Sequence, residues 1–170
     1  MPRQTSRRPE RDDLTGEHAL TDIGQLILLV LFAGAWIADT FFLRITTGLN
    51  ALIPLWVRVP IGAVLLALAA YLGTSSYRII FGTTRDKPHV VRTGVFSKVR
   101  HPMYLSEILS YLGLLLFSLS AIAAGVWLVA IAFLTYVSGT EERRLLARFG
   151  DDYARYMREV GMWIPRPRRR

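Results

Sequence analysis

Four apolar runs, at 23–43, 52–72, 104–119 and 121–137, dominate the chain and leave it no way to fold as an ordinary soluble domain. A helix that crosses a bilayer needs about 20 apolar residues, rising 1.5 Å each, to span roughly 30 Å of hydrocarbon. The first two runs meet that length, the first broken by Gln25 and Asp39 and the second by Arg58. The last two are shorter, with only small residues between them, and read as a tight hairpin. The expected fold is therefore all-α, an integral membrane bundle of about four transmembrane helices. At 170 residues it is one domain, expected over 20–170 behind a disordered basic tail at 1–19. That polar start is not followed by a short apolar core with a small-residue cleavage site, so the first run is expected to remain as a helix.

Charge orients the bundle. Of 21 Lys and Arg, 19 lie before the first run, between the second and third, or after the fourth. Positive loops favour the cytoplasmic side, so both termini and the middle loop are expected there. The net charge of +8 is explained by that topology rather than by nucleic acid, because the Arg runs flank membrane segments and lack interleaved stacking aromatics. Asp39 and Arg58 fall at similar depth near the outer side and are expected to form an ion pair. With no cysteine, disulfides, thiolate metal sites, a cysteine nucleophile and palmitoylation are excluded, and no metal site is expected.

The loop 77–100 is too long to be a mere connector and is expected to be ordered in short extended or turn pieces. After the fourth run, Leu145, Phe149, Tyr153, Tyr156 and Val160 recur at spacings of three and four. That is an amphipathic helix at the cytoplasmic surface, or two short ones broken at Gly150 with Asp151 as N-cap.

Polar groups concentrate where the third run begins. Pro102 suits the first position of a helix, which makes His101 its N-cap. Tyr104 and Glu107 follow on roughly the same face, Glu107 about 9 Å along the axis from His101. The fourth run returns to this side, so Glu141 and Glu142 stand at the level of His101, Tyr104 and Glu107. A helix N-terminus favours an anion, the carboxylates favour a cation, and the Phe96 and Tyr104 rings can hold a flat group. A zwitterionic aromatic cofactor such as S-adenosylmethionine has those properties. Ordinary interfacial polarity, with Tyr and Arg anchoring helix ends, is the competing reading, and spacing alone leaves both open.

The residues VVRTGVFSKVRHPMYLSE, followed after the hairpin by EERRLLARFGDDYARYMREVGMWIP, resemble the isoprenylcysteine carboxyl methyltransferase family. They are more loosely similar to phospholipid N-methyltransferases. The resemblance covers 88–165 and rests on Arg-His-Pro-x-Tyr, then Glu-Glu, Phe-Gly and Tyr-x-x-Tyr in order. It implies a small multi-helix membrane enzyme that transfers a methyl group from S-adenosylmethionine at the cytosolic face. It implies cofactor contacts at His89, Val90, Val91, Phe96, His101, Pro102, Met103, Tyr104 and Glu141. Prenylcysteine enzymes carry an Arg one turn before that glutamate, associated with the substrate; Val137 stands there in this chain. The expected acceptor is thus hydrophobic or lipid-like, with a prenylcysteine-like carboxylate as one candidate and a phospholipid amine or a thiol as alternatives. An NADPH-dependent membrane reductase and a non-catalytic membrane adaptor are the other classes. A carboxylate or thiolate acceptor needs no general base, so none is assigned, and Glu107 is left as an ion-pair or substrate group.

Overall fold

The computed structural model describes residues 19–82 and 89–167, and the N-terminal tail at 1–19 lies outside them except for its last residue. Five α-helices follow one another: α1 (Ala19–Ile37), α2 (Leu55–Phe81), α3 (Pro102–Ser118), α4 (Ala121–Phe149) and α5 (Asp151–Glu159). A π-helical stretch, Ala38–Leu43, continues α1, and short 3₁₀ turns occupy Thr47–Ala51 and Gly94–Ser97. Three helices are long and apolar enough to cross a membrane, Thr21–Leu43, Leu55–Phe81 and Ala121–Phe149, and α3 is a shorter apolar helix. Large apolar side chains such as Val30, Phe42, Val64, Leu128 and Val129 stay exposed on these helices. Only a lipid solvent makes that arrangement inexpensive. The chain is a multi-pass helical membrane bundle.

Between membrane helices there is no hydrophobic gain, so close approach through small residues holds them. The pairing of α2 with α3 is built this way. A Cβ added at Gly62 would lie 2.9 Å from the Gly113 carbonyl oxygen, and one at Gly113 would lie 2.8 Å from Leu66 Cγ. One end of the same seam is closed by Ser106, whose hydroxyl donates to the Ala69 carbonyl at 2.8 Å. Helix α4 packs mainly on α1, around a core of Leu28, Phe32, Tyr111, Leu115, Ala123 and Ala130. The hairpin between α3 and α4 turns on Leu119 in the left-handed region (φ 47°), and Ser120 caps α4 by accepting from Ala123 N–H at 3.1 Å.

Two element boundaries differ from expectation. Helix α2 runs on to Phe81, so 77–81 are helical rather than loop. Helix α4 continues twelve residues past Val137 as one 29-residue helix to Phe149. Glu141 and Glu142 are therefore helix-interior residues, not a helix end. The break does fall at Gly150 (φ 53°), but Gly150 itself is the N-cap of α5, and Asp151 sits in its first turn. Of the middle loop, 83–88 lie outside the described residues. The remainder is the expected non-helical path with a 3₁₀ turn and a single bridge, Val99 to Gly161.

The expected ion pair between Asp39 and Arg58 does not form. Asp39 is buried and accepts from the backbone of Ile45 at 2.9 Å and Thr46 at 3.1 Å, and from the Thr46 hydroxyl. Arg58 donates to Asn50 and to the carbonyls of Leu116 (3.5 Å) and Phe117 (3.3 Å). Each charge meets the nearest unsatisfied backbone: Asp39 closes the turn after α1, and Arg58 covers carbonyls in the last turn of α3 that have no helical partner.

Replacing Gly113 by Ala should destabilise the bundle by about 1–3 kcal/mol, because the new methyl overlaps Leu66 and the Gly62 carbonyl. Gly34, with nothing within 4 Å of an added Cβ, should tolerate Ala or gain up to about 1 kcal/mol. Thermal denaturation in detergent compares the two, and an equal response at both positions would contradict the close α2–α3 seam.

Candidate functional site

The site begins with one arginine. Arg100, just before α3, donates from Nε to Glu142 Oε1 at 2.7 Å, and its Nη2 lies 2.7 Å from the same oxygen. Its Nη1 donates to the carbonyls of Met157 at 3.1 Å and Val160. One guanidinium thus fastens the start of α3 to α4 and to the end of α5. The C-terminal segment adds backbone bonds: Arg100 N–H donates to Gly161 O at 2.9 Å, and His101 N–H to Met162 O at 3.2 Å. Arg100, His101 and Glu142 are all buried.

His101 is the N-cap of α3 with Pro102 at the first position, as expected, but its ring caps nothing. The ring instead lies between two carboxylates, Nε2 3.1 Å from Glu142 Oε1 and Nδ1 3.5 Å from Glu141 Oε2. Burial alone would push its pKa down, but hydrogen bonds to Glu141 and Glu142 outweigh that and hold it above the usual value. As an imidazolium it balances, with Arg100, the charge of the two glutamates. Tyr104, one turn on, stacks on His101 with centroids 5.7 Å apart and donates its hydroxyl to Glu141 Oε1. Glu141 and Glu142 therefore differ in kind. Glu142 is locked between Arg100 and His101, whereas Glu141 shares the wall of an adjoining cavity.

That cavity, of about 170 Å³, lies between α1, the 89–96 segment, the start of α3, α4 and α5. His89, Val90, Val91, Phe96, His101, Pro102, Met103, Tyr104 and Glu141 all line it, so the nine residues singled out in the sequence meet around one space. The path of 89–96 over the cavity is set by Gly94 (φ 58°), where a Cβ would meet Ile79 at 2.6 Å, and by Tyr156, whose hydroxyl donates to Phe96 O at 2.7 Å. Arg92, 2.7 Å from Asp152, secures the same segment to α5.

The structure adds Asp22 and Gln25 from α1, Ile80, Arg100, Leu145, Phe149, Tyr153 and Tyr156 to this wall. The Tyr-x-x-Tyr spacing and the Arg before His101 were visible signals for Tyr153, Tyr156 and Arg100. Gln25 showed only as a polar break in the first apolar run and nothing in the sequence marked Asp22; both are far from the other residues along the chain. Burial pushes the Tyr153 and Tyr156 phenols up, so both remain neutral. Among the described residues no group of His, Asp and Glu has the arrangement of a metal site.

A helical membrane protein with a carboxylate, a histidine ring and aromatic rings around one cavity is the class that fold and geometry define. The sequence profile of the phospholipid methyltransferase family matches residues 57–152, more than half of the chain, and the protein belongs to that family. It is 30% identical over 100 residues to protein-S-isoprenylcysteine O-methyltransferase of Saccharomyces cerevisiae, covering 58% of this chain and 42% of that one. It is 35% identical over 140 residues to methanethiol S-methyltransferase of Mycobacterium tuberculosis, covering 66% and 53% respectively. The chain thus spans about half the length of the curated relatives it matches. No solved structure matches it.

Two outcomes follow from the buried network. Glu142→Gln leaves Arg100 buried without its counter-charge and should cost about 3–5 kcal/mol, whereas Glu141→Gln, which leaves Arg100 paired and His101 still beside Glu142, should cost less. Denaturation in detergent tests the difference, and equal losses would contradict the asymmetry. The stabilisation from His101 should be complete below its usual pKa of 6.5, and lost as pH rises through the higher folded value. Replacing His101 by Gln should flatten that decline in a stability–pH series.

Proposed function

We propose that this protein transfers a methyl group from S-adenosylmethionine to a hydrophobic or lipid-like acceptor at the membrane surface. The observation that carries the reading is the convergence of the nine motif residues on one cavity where α3 begins and α4 passes. Membership of a methyltransferase family, and relatives named for methyl transfer to a prenylcysteine and to a thiol, support the reaction class.

The cavity's chemistry fits the cofactor. Glu141 offers a carboxylate to its cationic parts, Phe96, Tyr104 and Phe149 offer flat apolar faces to an adenine, and Val90, Val91 and Met103 exclude water. When bound there, S-adenosylmethionine supplies a methyl carbon already activated by its sulfonium. The protein's work is then positioning. Arg100 and Glu142 fix the His101 ring, His101 and Tyr104 fix Glu141, and the apolar side chains on the wall shield the reacting atoms from water. An acceptor dissolved in the bilayer reaches this level sideways, while the cofactor enters from the aqueous side.

The orientation that goes with this reading has both termini and the cavity cytoplasmic, supported by 19 of 21 Lys and Arg on that side. Because the chain has no cysteine, single cysteines report topology cleanly. In intact cells one at Ser97 should resist an impermeant thiol reagent, and one at the exposed Leu52 should react; the opposite pattern would overturn the orientation.

Calorimetry with purified protein tests the cofactor. S-adenosylmethionine should bind, and NADPH should not. Glu141→Gln should weaken binding roughly 10- to 150-fold, the loss of one charge-assisted hydrogen bond of about 1.5–3 kcal/mol. No binding by the unaltered protein would remove the methyltransferase reading.

A further inference from the structure

A second and larger cavity opens beyond Tyr156, whose side chain lines both spaces. It encloses about 980 Å³ between the 3₁₀ turn that leads to α3, the end of α5 and the C-terminal segment. Its described lining carries four cations, Arg92, Lys98, Arg158 and Arg166, against one carboxylate, Glu159. None of the four has a part in the network around His101. Like charges gathered on one concavity repel, and an anion placed among them removes that cost.

The cations are of two kinds. Arg166 and Arg92 are fixed in place. Arg166 donates from Nη1 to the carbonyls of Met157 at 3.0 Å and Arg158 at 2.9 Å, in the last turn of α5. Arg92 pairs with Asp152 at 2.7 Å and lies over the Tyr156 ring, 5.6 Å from its centroid. Lys98 and Arg158 are exposed instead, and among the described residues neither has a carboxylate within ion-pair distance. The groove thus combines a positioned basic wall with two cations whose charge is uncompensated.

Its place in the fold narrows the anion. Lys98 precedes Pro102, the first residue of the apolar helix α3, by only four residues, at most about 14 Å of chain. Ile164, 81% exposed, stands next to Pro165 on the rim. Basic side chains beside a bare isoleucine, close to the start of a membrane helix, meet a bilayer at its headgroup layer. Guanidinium forks suit phosphate oxygens, and a space of this size takes a headgroup with its glycerol, whereas inorganic phosphate would fill little of it. We propose that this groove binds the phosphate of an anionic phospholipid from the surrounding leaflet. The lipid is held as a ligand and gives up no atom. Tyr156 stands between the two spaces, so the lipid lies behind the first cavity and its binding is independent of methyl transfer.

The test uses the full chain in non-ionic detergent micelles, titrated with phosphatidylglycerol, phosphatidylcholine of equal chain length, or inorganic phosphate. A ligand that binds the folded state raises the unfolding midpoint, and the concentration dependence gives its apparent affinity. Phosphatidylglycerol should bind at least about tenfold more tightly than phosphatidylcholine, and more weakly as salt is raised. Lys98→Gln combined with Arg158→Gln should lower that affinity at least about tenfold, equivalent to about 1.4 kcal/mol. Without lipid its midpoint should match that of the unaltered protein, since both side chains are exposed and unpaired. Each single substitution should give part of the loss, which keeps the site testable if the double variant folds poorly. Arg143→Gln combined with Arg155→Gln removes the same charge from exposed positions outside the groove, and should change the affinity less than about twofold. Equal losses in the two double variants would mean diffuse surface charge and overturn the site. Equal binding of the two lipids would overturn it as well, and inorganic phosphate matching phosphatidylglycerol would replace the lipid by a soluble anion.

Discussion

The buried pair between Arg100 and Glu142 is the interaction on which the rest of the site depends. A guanidinium and a carboxylate removed from water gain little by themselves, because desolvation offsets most of their attraction. Their value is in where they hold things. Arg100 has donors left over for the carbonyls at the end of α5, and Glu142 has an oxygen that also meets His101. Three segments far apart in the chain, the start of α3, the middle of α4 and the C-terminal segment, are joined through one guanidinium fork. Only arginine has the geometry for that many directed bonds at once.

That clamp explains a division of labour between adjacent glutamates. Successive helix residues point about 100° apart, so one side chain can face the protein interior while its neighbour faces a cavity. Glu142 is consumed by structure. Glu141, joined to Tyr104 and near His101, keeps a face toward the cavity. The arrangement resembles a first layer of cavity groups braced by a second, and the bracing layer is what fixes the orientation of the first.

The membrane sets the vertical register of everything else. Helix α3, at 17 residues, rises only about 25 Å, so its polar start sits near the level at which the longer α4 is leaving the apolar zone. Glycines at Gly62 and Gly113 bring α2 against α3 closely enough to fix that register. At the other end, Asp39 and Arg58 close turns and helix ends rather than each other. The apolar outer surface remains available to lipid.

The sequence by itself determined the apolar helices, the hairpin, the start of α3 at Pro102 and the break at Gly150, because each follows from local length, periodicity or backbone chemistry. It also marked the nine cavity residues, through a motif order and not through any contact a linear reading can see. It could not show that α4 runs unbroken to Phe149, since the spacing that marks Leu145 and Phe149 as helical does not say whether their helix joins the membrane helix before it. Nor could it pair Asp39 and Arg58 correctly: similar depth is legible, but the unsatisfied backbone groups that each one meets exist only after the turns have formed. The tertiary structure alone decided that Asp22 and Gln25 join the cavity, that Glu142 rather than Glu141 takes Arg100, and that Glu107 accepts from Tyr111. Those are facts of helix rotation and register, which depend on how small residues let whole helices approach.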